Sequence, residues 1–501
     1  MNARLQRNRG LLLRATLVIF WIGMMGWLVL REAYPHLFAG TVRGYRALLG
    51  DVVVRDEWMR ILVFGNPAGY SHTSIESGGN DPGEYMCVRN ELRLQLNIMG
   101  RPEDLDADLT VNLDAWQQLR SFAFRFNTGK AVTTVLGRRQ QGTRFALRVC
   151  SPSGVQRVQI DIPDDAVLSA AAEELAVRGL RPGQSTRLTT FDPASLSVIP
   201  VRVEALRCEG LTVMGTNTPT TVLASTLSGL RTLLWVDAQG RTLRADTGMG
   251  WTMEACTPAE AFAAIHAGWQ APQEDMLQRL SVTCHPPLHL AGPARRLKLR
   301  LSGVVMTPEE LSTTRQRAFP AAGNAILLTS VCSAPPATNR APPAAKYLAS
   351  TLTTQSGDPE IAAAARTIIQ GRTTPLGRVA AIHDWVFANL RKEIVVTLPN
   401  ARDVLRSRQG KCTEHALLSV ALARAVGIPS VVKVGLVWHE GAFYYHAWPA
   451  FFVGDWIETD PTLGQPFADA SHLALAEGEL PEQARILTFM GRLRIEVLEA
   501  E

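Results

Sequence analysis

The stretch GKCTEHALL at residues 410–418 decides how the last third of the chain folds. Its apolar run predicts a buried helix from 413 to 426, with Cys412 immediately before it. Gly427 fits the C-terminal cap of this helix, and Pro429 prevents its continuation. A thiol at a helix N-terminus lies at the positive end of the helix dipole, which favours the thiolate. The stretch therefore predicts a nucleophile on a fixed, buried helix.

Two strand-like segments after this helix carry the partners that a thiol nucleophile needs. His446 lies in YHAW at 445–448, and Asp460 lies in WIETDPT at 456–462. An imidazole can take the thiol proton, and a carboxylate can hold the imidazole in the required tautomer. The predicted catalytic residues are therefore Cys412, His446 and Asp460. The backbone N–H of Cys412 is expected in the oxyanion hole.

The turn between these two strands decides whether the imidazole and the carboxylate can meet. With a two-residue loop, His446 and Asp460 would lie on opposite faces of the sheet, because side chains alternate along a strand. A three-residue loop over 453–455, or a bulge near Pro449, would shift the register by one. Asp460 would then lie opposite Trp448 and diagonal to His446, within side-chain reach. The sequence predicts one of these two arrangements.

Four sequence blocks resemble the transglutaminase-like superfamily, a branch of the papain-like cysteine enzymes. They are GKCTEHA at 410–416, ALARAVGIP at 421–429, HAW at 446–448 and DPT at 460–462. The resemblance covers the chain from about Tyr347 to about Leu480. It implies a papain-like α+β domain in which Cys412, His446 and Asp460 perform acyl transfer through a thioester. Lys411 and Pro449 depart from residue types that are common in the family, and neither is a triad position.

The N-terminus contains a second informative stretch. Residues 15–30 have no charged side chain, and the leucines at 11–13 extend this stretch beyond Arg14, which can snorkel. About 20 apolar residues span a bilayer. Arginines at positions 4, 7 and 9 predict a cytoplasmic N-terminus. The bulky residues of the stretch and the lack of an Ala-x-Ala site favour an uncleaved anchor over a signal peptide. The expectation is a single-pass inner or plasma membrane protein, with most of the chain periplasmic or extracellular.

Composition limits the partners of the chain. The net charge of +5 is spread over 501 residues without a basic block, so no nucleic-acid partner is expected. Six cysteines remain besides Cys412, and they could form up to three disulfides in an oxidising compartment or remain buried thiols. No cysteine or histidine spacing fits a zinc site, so neither a metal nor a cofactor is predicted. The expected partners are a protein or peptide substrate and, through the N-terminal helix, a membrane.

The middle of the chain predicts antiparallel strands, because apolar and polar residues alternate there. The clearest alternating runs are at 92–98, 109–113, 122–126, 145–149 and 158–162. A helix is predicted over 166–177, and the capping box TPAE at 257–260 predicts a second helix to about His266. The β-rich region is interpreted as a structural or docking scaffold, with a trough for an acyl chain or glycan as the alternative.

The predicted fold class is α+β, with an N-terminal transmembrane helix, a β-rich antiparallel domain and a C-terminal transglutaminase-like α+β domain. The predicted parts are the cytoplasmic tail and anchor (1–33), the β-rich domain (50–268), a small β segment (277–335), the catalytic domain (344–480) and a C-terminal tail (481–501). The predicted function is a membrane-anchored extracytoplasmic cysteine enzyme that cleaves or transfers at amide bonds. Peptidase or amidase activity and acyl transfer to an amine both stay open. The alternative is a non-catalytic envelope binding or scaffold protein with a vestigial enzyme domain.

Overall fold

The computed structural model describes most of the chain after residue 54. The described residues are 55–78, 83–98, 100–128, 131–152, 154–168, 180–227, 229–268, 275–336, 340–393, 400–478, 486, 489 and 491–501. Strands make up 51% of them and helices 17%. The predicted fold class is therefore wrong, because the described chain is β-rich and dominated by one large sheet. Helices longer than one turn lie mainly around Cys412, whereas the alternating segments account for most residues.

The predicted transmembrane helix and the predicted localisation also need correction. Among the described residues, no helix has both the length and the apolar character needed to cross a membrane. The predicted anchor at 15–30 lies outside the described residues.

The large sheet contains 15 strands between residues 55 and 255. They are β1 (Arg55–Val63), β2 (Asn66–Ser77), β3 (Met86–Ile98), β4 (Arg101–Leu113), β5 (Leu119–Asn127), β6 (Val132–Gln141), β7 (Arg144–Ser151), β8 (Gly154–Asp161), β9 (Ala166–Leu168), β10 (Ser185–Asp192), β11 (Ser197–Val213), β12 (Thr216–Leu227), β13 (Leu230–Val236), β14 (Thr242–Asp246) and β15 (Trp251–Ala255). Strands β1 to β8 form an antiparallel meander to one edge, and β10 to β15 form another that returns to β1. β9 forms the other edge and pairs in parallel with β10.

The two halves of this sheet share a hydrophobic core. Phe122 of β5 and Phe191 of β10 lie with ring centroids 5.4 Å apart, although their strands are far apart in the sheet order. All three residues of β9 are buried in the same core. The sheet therefore curls so that β9 and β10 contact the first meander. The helix predicted over 166–177 is wrong for 166–168, where burial from both sides favours a strand; positions 169–177 lie outside the described residues.

A five-stranded sheet joins the large sheet to the helical part of the chain. It contains β16 (Cys284–His285), β17 (Arg296–Ser302), β18 (Gln316–Ala321), β19 (Ala325–Val331) and β26 (Arg494–Ala500). Its order is β16-β26-β17-β19-β18, so the C-terminal strand pairs with the middle of the sheet. Helices α1 (Pro258–Gly268) and α2 (Met276–Arg279) precede it, and α3 (Pro308–Leu311) lies between β17 and β18. Its buried leucines share one core with the helix that begins at Cys412.

The helical part contains α4 (Pro359–Ile368), α5 (Pro375–Asn389), α6 (Ala401–Ser407) and α7 (Cys412–Ala425). A short parallel pair, β20 (Arg391–Lys392) and β21 (Gln409–Gly410), precedes α7. A four-stranded sheet follows, with β22 (Ser430–His439), β23 (Ala442–Phe452), β24 (Trp456–Glu458) and β25 (Leu473–Glu477) in the order β24-β23-β22-β25. α7 contacts the other three helices and the two central strands, so it is the centre of this part of the fold.

All seven cysteines lie in the described residues, and all are free thiols. Of the two possibilities left open by the sequence, disulfides or free thiols, the structure has free thiols. Cys87, Cys256 and Cys284 are buried, and burial raises the pKa of the Cys87 and Cys256 thiols. These buried cysteines are small apolar side chains of the core.

Gly435 permits the close approach of β22 and β25. A Cβ atom built at Gly435 would lie 1.9 Å from the carbonyl oxygen of Leu473. Gly435→Ala should therefore push these strands apart and lower the free energy of unfolding by about 1–3 kcal/mol. Thermal unfolding with hydrogen exchange across β25 measures this effect. Gly292→Ala is the control, because a Cβ atom there has open space; equal stability of the two variants would contradict the prediction.

Candidate active site

The loop before α7 fixes the backbone that presents Cys412. The Glu414 carboxylate accepts a hydrogen bond from the backbone N–H of Lys411 at 2.8 Å. The His415 ring donates through Nδ1 to the carbonyl oxygen of Lys411 at 2.7 Å. A Cβ atom at Gly410 would lie 2.2 Å from the Glu414 Cβ, so only glycine fits there. Glu414 and His415 are buried and hold the helix start in place, while the Cys412 side chain is half-buried.

The loop between β23 and β24 brings the predicted base and carboxylate together. Phe452 pairs with Trp456 and Ala450 with Glu458, so residues 453–455 form a three-residue loop. This confirms the predicted shift in register. The His446 Nε2 atom lies 2.6 Å from Asp460 Oδ2, and both side chains are buried. Since Nε2 faces the carboxylate, Nδ1 is the ring nitrogen left for the thiol.

The charges around His446 keep its imidazole protonated. Burial by itself would lower the pKa of His446, but the Asp460 carboxylate and the Cys412 side chain outweigh it and raise the pKa to about 10. The carboxylate favours the charged ring, and so does the sulfur when it is ionised. The structure therefore places a protonated imidazole beside the half-buried thiol at neutral pH.

Asp460 is fully buried and is held by four donors. Its Oδ1 atom accepts the backbone N–H groups of Thr462 at 2.7 Å and Leu463 at 3.0 Å. Its Oδ2 atom contacts His446 and, at 3.0 Å, Nε2 of His472. Burial would raise the pKa of Asp460, but the two histidines outweigh burial and hold it well below its usual range. A buried carboxylate with its acceptor sites filled can remain ionised.

His472 and Asp469 form a second His–Asp pair that the sequence analysis missed. The Nδ1 atom of His472 lies 3.1 Å from Asp469 Oδ1, and the same oxygen accepts the Ser471 hydroxyl at 2.6 Å. His472 is completely buried, and its ring lies 5.8 Å from that of His446. No periodicity or motif surrounds His472, so only its spacing from Asp469 could have indicated the pair.

A buried ion pair supports the segment that carries His472. Arg315, just before β18, donates to the Glu458 carboxylate at 2.6 Å, and both side chains are almost fully buried. The same guanidinium donates to the backbone carbonyl oxygens of Asp469 and His472. Trp448 donates to Glu458 at 2.7 Å and stacks on His446 with centroids 6.0 Å apart. The five-stranded sheet therefore supports the site directly through Arg315.

A cavity of about 370 Å³ lies near this ion pair. Its walls include Glu310, Lys433, Trp456, Glu458 and Glu477. Lys433 pairs with Glu477 at 2.5 Å and Glu458 pairs with Arg315, so Glu309 and Glu310 give the cavity its remaining acidic character. Neither the thiol nor the imidazole of the candidate triad is among the described residues that line it. Glu458 links the cavity to the site through its bonds with Trp448 and with Arg315.

Among the described residues, His446, Asp460 and His472 also bring three possible ligand atoms within 4.8 Å of one another. Ligands of one zinc ion each lie about 2.0–2.2 Å from the metal and so stay farther apart than hydrogen-bonded atoms. The 2.6 Å and 3.0 Å contacts to one carboxylate oxygen are instead those of direct hydrogen bonds.

Comparison with known proteins identifies the C-terminal part of the chain. Residues 362–461 match the family model of the transglutaminase-like superfamily, which confirms the resemblance found in the sequence. No curated protein matches the chain.

Several solved structures show low similarity to this chain. A proposed cysteine protease from Cytophaga hutchinsonii is 16% identical over 42% of this chain and 90% of its own, with a TM-score of 0.28. The periplasmic domain of TgpA from Pseudomonas aeruginosa is 18% identical over 37% of this chain and 75% of its own, with a TM-score of 0.24. At these TM-scores the similarities add nothing to the assignment of function.

Proposed function

We propose that the transglutaminase-like domain is a cysteine enzyme that cleaves or transfers acyl groups at amide bonds of proteins or peptides. Cys412 is the nucleophile, His446 the acid and base, and Asp460 the group that orients His446. The observation that supports this best is the position of His446, between a buried carboxylate at 2.6 Å and the Cys412 side chain. A pKa of about 10 keeps its ring protonated, so it can hold a thiolate by charge.

The reaction begins when the Cys412 thiolate attacks the amide carbonyl carbon. A C–S bond forms, and the carbonyl oxygen takes the negative charge near the Cys412 backbone N–H. The C–N bond then breaks, and His446 gives its Nδ1 proton to the leaving amine. A thioester remains. Water or a second amine attacks it, His446 takes the proton of the attacking group, and Cys412 leaves as the thiolate.

The reactivity of Cys412 towards iodoacetamide tests this proposal. In the proposed ion pair the His446 imidazolium stabilises the Cys412 thiolate, so alkylation of Cys412 should be nearly constant between pH 6 and 9. At pH 6 it should exceed the rate of glutathione by on the order of 10-fold or more, since a free thiol with a pKa of about 8.5 is hardly ionised there. Mass spectrometry of the Cys412 peptide measures both rates.

The control variants isolate the contribution of the imidazole. His446→Gln should reduce alkylation of Cys412 at pH 6 to the level of a free thiol. His439→Gln should not, because His439 is an exposed residue at the end of β22. A wild-type rate that climbs about tenfold per pH unit towards 8.5, as for a free thiol, would refute the proposed pair and favour a non-catalytic binding role.

A further inference from the structure

His472 has carboxylate oxygens at both of its ring nitrogens. Nε2 lies 3.0 Å from Asp460 Oδ2, and Nδ1 lies 3.1 Å from Asp469 Oδ1. An ionised carboxylate only accepts hydrogen bonds, so a nitrogen that contacts it has to donate. A neutral imidazole donates from one nitrogen only. Two favourable contacts therefore require both ring nitrogens of His472 to carry a proton.

Both carboxyl groups are ionised in this structure. The pKa of Asp460 is held well below its usual range, as described above. Burial would raise the pKa of Asp469, but His472 and the Ser471 hydroxyl and N–H outweigh it and lower the pKa to about 2. With both carboxyl groups ionised, the geometry of the two contacts assigns the second proton to His472.

The charges that face His472 support the same state. Its own segment supplies Asp469, the loop after β24 supplies Asp460, and β23 supplies His446. Arg315 contacts only the backbone carbonyl of His472, and its charge is balanced by Glu458. A neutral His472 would leave two carboxylates sharing one cation, His446, in a site that excludes water. Buried charges are stable only when they are paired.

We propose that His472 is a buried imidazolium that donates one ring proton to Asp460 and the other to Asp469. His472 thereby fixes the orientation of Asp460 and offsets part of its charge. This role rests on the proposed function, in which Asp460 orients the catalytic imidazole. His472 and Asp469 are positioning residues, because neither contacts the reacting thiol. The hydrogen-bonded series Asp469–His472–Asp460–His446 then connects the thiol to the Asp469 carboxylate, which lies two hydrogen bonds beyond the triad.

The partial neutralisation of Asp460 by His472 should have a measurable effect on the titration of His446. With His472 protonated, Asp460 is partly neutralised and stabilises the His446 imidazolium less than a lone carboxylate would. His472→Gln removes this positive charge and leaves a neutral side chain. The titration midpoint of His446 should therefore move to higher pH by about one unit or more. A side chain that only filled space would leave this midpoint unchanged.

Nuclear magnetic resonance of the histidine rings tests the proposal directly. The full chain, labelled with ¹⁵N in its ten histidines, is studied as Cys412→Ala, so that the result does not depend on thiol chemistry. At pH 7.5 the His472 ring should show two protonated nitrogens, and its signals should be absent from His472→Gln. His383 and His415 serve as internal references, because burial lowers the pKa of both rings and keeps them neutral.

A second variant keeps the shape of the site. Asp469→Asn retains an oxygen that can accept from Nδ1 but removes the negative charge, so His472 should lose its second proton near neutral pH. Asp469→Asn also tests the proposal if His472→Gln fails to fold. A single-proton tautomer of His472 in Cys412→Ala, or an unchanged His446 midpoint in His472→Gln, would overturn the proposal. Slow alkylation of Cys412 in the wild type would instead count against the proposed enzyme.

Discussion

Cys412→Ala should abolish the formation of a covalent acyl-enzyme. With p-nitrophenyl acetate as a generic acyl donor, the wild type should release p-nitrophenolate in a burst and gain the mass of one acetyl group on the Cys412 peptide. The variant should show no burst, and its rate of p-nitrophenolate release should fall by about 10³-fold or more. Removal of a nucleophile leaves only the contribution of binding and oxyanion contacts to the rate. The release of p-nitrophenolate and the mass of the peptide measure this loss.

Cys332→Ala is the matched control for this experiment. Cys332 is half-buried like Cys412 and directly follows β19. Burial raises the pKa of its thiol, so it is a poor nucleophile. This variant should retain the full burst. If the acetyl group appeared on another residue, or if both variants behaved alike, the assignment of Cys412 as nucleophile would fail.

Arg315→Met should cause the largest loss of stability near the site. The change removes the buried cation that pairs with Glu458, whose carboxylate keeps the Trp448 N–H as a donor and Lys433 as a nearby charge. It also leaves the carbonyl groups of Asp469 and His472 without this donor. Removing one partner of a buried ion pair costs about 3–5 kcal/mol. Hydrogen exchange across 469–477, followed by mass spectrometry, measures the free energy of local opening.

Two further variants separate burial of charge from loss of volume. Arg300→Met breaks an exposed pair with Glu496 in the same sheet and should cost about 0–1 kcal/mol. Adding Glu458→Gln to Arg315→Met should recover part of the stability, because a neutral amide can still accept from Trp448. If Arg315→Met proved as mild as Arg300→Met, the supporting role of Arg315 would be excluded.

Local sequence patterns predicted the immediate surroundings of the candidate nucleophile well. The apolar run after Cys412 predicted the buried helix α7, which begins at Cys412 and is followed by Gly427 with φ +80°. The alternation of side chains along β23 and β24 also required either a three-residue loop or a bulge near Pro449, and the structure has the loop. These inferences succeed because helix caps and strand faces depend on neighbours only a few positions away.

Local patterns failed where distant segments decide the structure. The sequence did not indicate that two series of strands would merge into one 15-stranded sheet that curls on itself, because strand pairing joins residues far apart in the chain. Local patterns also predicted a helix at 166–168, where burial between the two halves of the sheet produces a strand. The predicted transmembrane helix needed correction too, since none of the helices among the described residues has the length and apolar character to cross a membrane.

The sequence by itself determined the order of thiol, imidazole and carboxylate, and the elements that present them. Only the tertiary structure decided which groups surround the carboxylate. Arg315 is 143 positions before its partner Glu458, and the second histidine reaches Asp460 from a segment without periodicity. A buried charge is stable only with partners on every side. Those partners come from whichever strands and loops the folded chain brings to the site, which no spacing along the sequence specifies.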